Sequence, residues 1–325
     1  MCPVLSAVAF LVLTSLSASA PPDDRHGSFS IVVENDIFFG RDRHYTNGLN
    51  LSWTSGRDRT FDFVPSLTSL FYDDADGHEH MSFSLAQDIF TPRSILRWPE
   101  DDSYRPYASW LFGTMSVSNN GPKGFVLLQA SLGIVGPAAL GRQLQKVLHK
   151  IIKSPKAIGW ETQLANEPGM VLTATRGWTV LELHAASFSA KLTPYGTLSV
   201  GNVFDYAGVG ATARIGEHQP NDIGPPRNQP APAGTDAIDA THPWGYYVFA
   251  TAEGRTVLHN IFIDGNTFAE SRSVGKRTFV YDLSIGAAIV VHDTRLSFTA
   301  LRRSPEIDAL ASYDWIGSFA LSKEL

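Results

Sequence analysis

The sequence predicts an all-β fold: a twelve-stranded antiparallel outer-membrane β-barrel with a short helix in an extracellular-side loop. The first of three supporting observations is that apolar and polar residues alternate in about twelve segments, and a period of two is typical of strands. The second is that no later stretch reaches the ~18 consecutive apolar residues of a membrane helix. The third is that Cys2 is the only cysteine among 325 residues, so that no disulfide can stabilise the chain.

The N-terminus has the pattern of an export signal. Residues 4–16 are apolar, and Ala18-Ser19-Ala20 provides the small residues of a cleavage site. The apolar run is too short for a transmembrane helix. We therefore predict a cleaved signal peptide over residues 1–20 and one barrel domain over residues 21–325.

A hairpin near the start carries the densest group of polar side chains. Apolar residues alternate over 29–33 and again over 49–53, and Glu34-Asn35-Asp36 and Tyr45-Thr46-Asn47-Gly48 lie between these segments. If both strands continue into the loop, Asp36 and Thr46 point to the polar side of the hairpin. The alternative is that Asp, Asn and Gly only form a loop.

Further alternating segments follow this hairpin along the chain. They include residues 83–85, 110–117, 126–132, 170–180, 190–200, 207–215, 244–258, 279–286, 290–300 and 313–325. In a soluble β-protein the polar face of each strand would point outward, whereas in a membrane barrel the apolar face meets lipid. Periodicity does not separate these two, but the signal peptide, the even strand count and tryptophans near strand ends favour the barrel.

Residues 138–154 break the alternation and predict an amphipathic helix, with apolar residues at a spacing near 3.6. Gln145 and His149 are four residues apart and share one helix face. If both chain ends face the periplasm, every odd-to-even connection lies on the cell-exterior side. The hairpin tip and the helix then fall on the same side.

The composition excludes several classes of function. The formal net charge is −6, and no nucleic-acid motif, Gly-x-Ser-x-Gly elbow or zinc-ligand spacing occurs. A histidine can activate water as a general base. A carboxylate with carbonyl oxygens can hold calcium, and such a cation can stabilise an oxyanion. These groups suit metal-assisted ester hydrolysis better than a covalent serine route.

A series of short motifs resembles the outer-membrane lipid A 3'-O-deacylase family along most of the chain. Besides the two hairpin motifs, the series comprises Ala86-Gln87-Asp88-Ile89-Phe90-Thr91-Pro92, Arg105-Pro106-Tyr107-Ala108, Gln145 to His149, Gly159-Trp160-Glu161-Thr162-Gln163-Leu164, Glu167-Pro168, Gly201-Asn202-Val203-Phe204, Gly224-Pro225-Pro226-Arg227 and Asp264-Gly265-Asn266-Thr267-Phe268.

The resemblance implies a calcium-dependent esterase that removes the 3'-linked acyloxyacyl group of lipid A at the outer leaflet. It implies catalytic roles for Asn35, Asp36, Thr46 and the base His149, with Gln145 beside the substrate and calcium near Asp36. The family also uses a glutamate beyond the histidine, for which Glu161 is the first candidate and Glu167 the second. We expect a monomer in the outer membrane that binds lipopolysaccharide and no nucleic acid. The alternative is a non-catalytic binding or structural barrel.

Overall fold

The computed structural model describes residues 27–39, 44–72, 74, 76–97, 103–225, 238, 242–310 and 312–325. The predicted signal peptide therefore lies outside the described residues. The strands are β1 Ser28–Asn35, β2 His44–Thr54, β3 His78–Thr91, β4 Ala108–Gly121, β5 Gly124–Val135, β6 Glu167–Trp178, β7 Leu181–Ala185, β8 Phe188–Gly201, β9 Phe204–Glu217, β10 Trp244–Asn260, β11 Phe279–Val291, β12 Thr294–Arg303 and β13 Asp314–Glu324.

The strands close into a single antiparallel barrel, and β1 pairs with β13 at the point where the chain ends meet. The short β7 pairs only with β8, opposite residues 188–192, whereas β6 pairs with β8 opposite residues 195–201. Because β6 and β7 together occupy one position beside β8, twelve positions surround the axis. The predicted twelve-stranded all-β barrel is confirmed.

Apolar side chains cover the outside of this barrel. In β1, Phe29 and Ile31 are exposed while Ser28 and Ser30 are buried, and β3 repeats the pattern with exposed Phe83 and Leu85. This is the arrangement of a barrel that lies in lipid, since in water the polar face of each strand would be the exposed one. Of the two alternatives that periodicity left open, a soluble β-protein and a membrane barrel, the structure therefore favours the membrane barrel.

The barrel interior is packed with side chains. Trp110 stacks on Phe112 with ring centroids 3.7 Å apart, and both belong to the largest buried cluster. A charged network continues the filling, in which Arg255 bonds Asp282 at 3.0 Å and Arg303 bonds Asp282 at 2.9 Å. Buried charges in such a network need partners of opposite sign, and each of these has one.

Six connections meet at one end of the barrel, which we call the loop end. They join β1 to β2, β3 to β4, β5 to β6, β8 to β9, β10 to β11 and β12 to β13. They bond to one another, as where Arg105 pairs with Glu306 at 2.8 Å and Ala165 donates its backbone N–H to Asn266. The predicted grouping of these loops is therefore confirmed.

Within the described residues, three α-helices lie in the connections: α1 Phe63–Thr68, α2 Gly141–Ile152 and α3 Ile261–Asp264. Helix α2 confirms the helix predicted over 138–154, and a 3-10 turn over Pro137–Ala139 precedes it. Helix α1 packs Val64 against Met81 and Val117 at the opposite end of the barrel. No helix within the described ranges has the length and apolar character to cross a membrane.

Candidate active site on the outer wall

Four outward-facing positions form one level row across neighbouring strands near the loop end. Asn35 of β1 pairs with Asn47 of β2, Asn47 with Ile89 of β3, and Ile89 with Ser109 of β4. Their neighbours along the chain face inward: Glu34, Asp88 and Trp110 are buried in the lumen. Because side chains alternate along a strand, the four positions face the outside. We call Asn35, Asn47, Ile89 and Ser109 the outer row.

Helix α2 docks on this outer row. The backbone N–H of Gly141 donates to Ser109 Oγ at 3.3 Å, and Ser109 Oγ donates to the Gly136 carbonyl at 3.2 Å. One turn farther, Leu144 packs against a buried cluster that contains Ile89, Tyr107 and Trp160. The helix therefore lies outside the barrel, at the level of Asn35, and not over its mouth.

The side of α2 that faces the wall is polar. Of the α2 side chains that the structure describes, Gly141, Gln145 and His149 are the buried ones, one turn apart, and Gln145 and His149 are 2% and 6% exposed. The apolar Leu140, Val147 and Ile151 are at least half exposed. An amphipathic helix on a soluble protein turns its apolar stripe inward. The reversal here is expected for a helix whose outer side meets lipid.

His149 is held by a backbone carbonyl. Its Nδ1 lies 2.6 Å from the carbonyl oxygen of Pro155. A carbonyl oxygen only accepts hydrogen bonds, so Nδ1 carries the proton and donates it. The neutral ring then has its lone pair on Nε2, which is the protonation state that a general base needs.

Gln145 has a fixed amide orientation. Trp160 Nε1, which is a donor only, gives a hydrogen bond of 2.7 Å to Gln145 Oε1. The amide nitrogen therefore points away from Trp160, and this buried Nε2 has no hydrogen-bond acceptor among the described residues. A buried amide donor without an acceptor costs about 1–3 kcal/mol. It is a natural position for a ligand oxygen.

Thr46 lies at a β-bulge, where the register between β2 and β3 shifts between Tyr45 and Asn47. Tyr45 Oη lies in the lumen, 3.1 Å from a carboxyl oxygen of Glu34 and 3.0 Å from one of Asp88. Thr46 Oγ1 instead meets Thr91 Oγ1 at 2.8 Å. Phe90 faces inward, so the next residue along β3, Thr91, faces outward, and Thr46 contacts it there. The prediction that Thr46 shares the polar inner face is therefore wrong, because a bulge re-aims the side chain.

Asn35 and Asp36 stand at the end of β1. Asn35 Nδ2 donates to Asn47 Oδ1 at 3.3 Å, within the outer row. Strand β1 ends at Asn35, and the buried Asp36 begins a 3-10 turn over Asp36–Phe39. The strand therefore does not continue through Asp36, although its continuation was the condition for placing Asp36 on the polar side of the hairpin. The Asn-Asp pair lies at the level where α2 covers the wall.

The two candidate glutamates lie away from this group. Glu161 is exposed and pairs with Arg142 at 2.8 Å. Arg142 lies seven residues before His149, which is about 10 Å along the helix axis. The glutamate's own backbone N–H, and after it the Arg142 charge and the backbone N–H of Gly159, lower the pKa of the Glu161 carboxyl. Glu167 is buried and accepts bonds from Asn202, Asn266 and two backbone N–H groups, which ties three connections together.

The oxygen donors near the outer row fit a hard cation. Asp36 offers a buried carboxylate and Thr46 a hydroxyl, while the Oδ1 of Asn35 lies on the side of its amide away from Asn47. No three His, Cys, Asp or Glu side chains of the described residues cluster as metal ligands. Calcium also takes amide, hydroxyl and backbone oxygens, so one carboxylate with such donors suits calcium better than zinc.

Comparison with known proteins identifies the family. The family model of the outer membrane protein LpxR matches residues 4–325. The chain belongs to the LpxR family. This LpxR-family barrel is therefore an outer-membrane protein, and the resemblance inferred from its motifs is confirmed. No curated protein sequence matches the chain.

Solved structures agree on the fold of this LpxR-family chain. LpxR from Salmonella typhimurium superposes with a TM-score of 0.74 at 22% identity, over 92% of this chain and all of that one. The β domain of the Bordetella autotransporter BrkA reaches a TM-score of 0.45 at 8% identity, over 92% of this chain and 99% of that one, and is too distant to carry an argument.

Several residues of the site were not singled out by their sequence. Asn47, Thr91 and Trp160 occur within quoted motifs, but only the fold shows that they bond Asn35, Thr46 and Gln145. The carbonyl that orients His149 belongs to the backbone, and any residue type could provide it.

Proposed function

We propose that this chain is a calcium-dependent carboxylic ester hydrolase that removes the 3'-linked acyloxyacyl group of lipid A at the outer leaflet. The observation that carries the proposal is the polar face of α2. Gln145 and His149 are buried between a lipid-facing helix and the outer wall, and Ser109 and Ile89, against which this helix packs, are level with Asn35 across the strands. A site outside the barrel can receive a substrate whose acyl chains remain in the membrane.

His149 acts first on water. Its Nε2 removes a proton from a water molecule, and the resulting oxygen nucleophile attacks the ester carbonyl carbon. The hydrogen bond from Nδ1 to the Pro155 carbonyl holds the ring and stabilises the imidazolium that forms. When the bond to the sugar oxygen breaks, the imidazolium returns the proton to that oxygen. The products are a sugar hydroxyl and a free fatty acid.

Gln145 positions the ester. Because Gln145 Oε1 accepts a hydrogen bond from Trp160, Gln145 Nε2 points away from Trp160. This Nε2 donates to the ester carbonyl oxygen as negative charge develops there. A preorganised donor of this kind contributes about 100-fold or more to the rate. Asn35 and Thr46 are the further polar groups of the proposed site. A calcium ion bound by Asp36 and neighbouring oxygens would add Lewis-acid stabilisation of that oxyanion.

The direct test is the mass of lipid A from cells that express the wild-type chain or the His149→Ala variant. Loss of the 3' acyloxyacyl mass with the wild type alone supports the enzyme and its base. The matched control is His184→Ala, since His184 is exposed at the opposite end of the barrel, and this variant should keep full activity.

Two results would contradict the proposal. Unchanged lipid A with a correctly inserted wild-type barrel would favour a non-catalytic binding or structural protein. Full activity in His149→Ala would remove the histidine from the mechanism.

A further inference from the structure

Helix α2 has a basic side in addition to its buried and apolar sides. Arg142, Lys146 and Lys150 recur every four residues and so lie along one side of the helix. Lys153 and Lys156 continue the positive charge beyond the last turn. All five side chains are exposed. Between Ala139 and Trp160 the sequence contains no Asp or Glu, although the whole chain has a net charge of −6.

Among the residues that the structure describes, most of this charge has no acidic partner. Arg142 pairs with Glu161, but in the described part of the chain none of the four lysines forms an ion pair. Like charges on successive turns repel one another, which costs a few tenths of a kcal/mol per pair. A row of unneutralised cations beside a buried site is most simply explained by an anionic ligand.

The apolar side of α2 determines the kind of anion. Leu140, Val147 and Ile151 are 50%, 54% and 59% exposed and follow one stripe of the helix. A helix with an exposed apolar stripe flanked by lysines lies in the interface between acyl chains and charged head groups. A soluble anion would give no reason for the apolar stripe.

We propose that the lysine row of α2 binds the phosphate groups of an anionic outer-leaflet glycolipid while its apolar stripe contacts that lipid's acyl chains. This inference rests on the proposed function, for which it supplies a recognition surface. Phosphates held at the lysine row anchor the sugar head group at the membrane surface. The ester would then be presented to the adjoining buried side of the same helix, where Gln145 and His149 lie.

The test compares binding of two lipids to the purified full-length barrel in detergent. The probes are bisphosphorylated lipid A and the same lipid A with both phosphates removed, and every protein carries His149→Ala to prevent turnover. The lysine variant is Lys146→Glu with Lys150→Glu. The matched control is Arg59→Glu with Lys323→Glu, which reverses two exposed cations at the opposite end.

We expect the parent protein to bind the phosphorylated lipid more tightly, and the preference to weaken as salt is added. Each lysine near an anionic lipid surface contributes about fivefold in affinity. The lysine variant should therefore lose the preference by about thirtyfold or more, while the control keeps it. Val147→Ser with Ile151→Ser should weaken binding of both lipids equally.

Equal preference in the lysine variant and the control would overturn the proposal. If the two variants show equal preference while wild-type cells still deacylate lipid A, the proposed esterase activity is supported and its recognition surface lies elsewhere. If the preference depends on the lysines but no lipid A is cleaved, the surface stands and the esterase assignment is wrong.

Discussion

Helix α2 lies close to the barrel wall at Gly141, and this contact offers a test that leaves every polar site residue in place. A Cβ added at Gly141 would lie 2.4 Å from Ser109 Cβ and 2.9 Å from Trp160 Cη2, whereas ordinary contact begins at 3.4 Å. Ser109 Cβ is attached directly to the backbone of β4, so it cannot rotate away. In Gly141→Ala the helix must therefore move outward by about 1 Å, the difference between 3.4 and 2.4 Å.

The expected consequence is a loss of activity with the barrel intact. A displacement of about 1 Å from productive geometry costs about 100-fold in rate, or about 2.7 kcal/mol of activation free energy. Alanine favours helix formation by about 1 kcal/mol over glycine, so the helix itself should persist. The measurement is kcat/KM for lipid A deacylation, together with heat-modifiable gel mobility to confirm the folded barrel.

Two further variants make the test specific to helix position. Gly196→Ala is the matched control, because its added Cβ would meet only the Gly208 carbonyl at 3.9 Å. Combining Gly141→Ala with Ser109→Gly removes the nearest clash and should recover part of the loss. Wild-type kcat/KM in Gly141→Ala would refute the argument that α2 positions the reacting groups through its contact with β4.

Other residues give shorter tests. Asp36→Asn should abolish the recovery of activity that calcium gives after chelation, measured by lipid A mass. Trp160→Phe removes the donor that orients Gln145 and should lower kcat by about threefold to tenfold, the worth of one hydrogen bond; Glu161→Gln should stay near wild type, since Glu161 is exposed. Arg105→Met should lower the unfolding temperature, because it removes the 2.8 Å partner of the buried Glu306 and leaves only Arg303, 4.0 Å away; breaking a buried ion pair costs up to about 3–5 kcal/mol. Burial disfavours the charged Glu306 carboxylate, but Arg105 and neighbouring arginines hold its pKa below the ordinary 4.5. The stability from this pair is therefore present above pH 4.5 and should be lost as pH falls through the lower folded-state pKa.

The sequence predicted the barrel because strand periodicity is a local property. The alternation of Phe29 and Ile31 with serines is visible in the chain, and the structure places it as predicted. Thr46 shows where this reasoning fails. A bulge inserts one residue into a strand and changes the parity beyond it, and its position depends on the partner strand β3. No pattern within the hairpin itself indicates that register.

The orientation of helix α2 is a second feature that the sequence alone could not predict. Its length and period were predictable from residues 138–154, but the direction of its faces was not. Apolar spacing alone suggests that Leu140, Val147 and Ile151 face a core, and in this protein they are exposed. Only the contacts of Gly141 with Ser109 and of Leu144 with the Ile89 cluster show that the helix lies on the outer wall. The same contacts turn Gln145 and His149 toward the wall.

The proposed position of the site outside the barrel would also explain why the lumen can be so densely filled with charged side chains. A barrel that admits its substrate from inside needs an open channel, whereas Arg255, Asp282 and Arg303 fill this interior with mutually bonded charges. A substrate that stays in the membrane needs only a gap between wall and helix. The interior is then free to fix the strands in register, and that register in turn holds Asn35 level with Ser109, where α2 is attached. Substitutions in the lumen network should therefore change activity only through barrel stability, whereas substitutions on the outer row should change it directly.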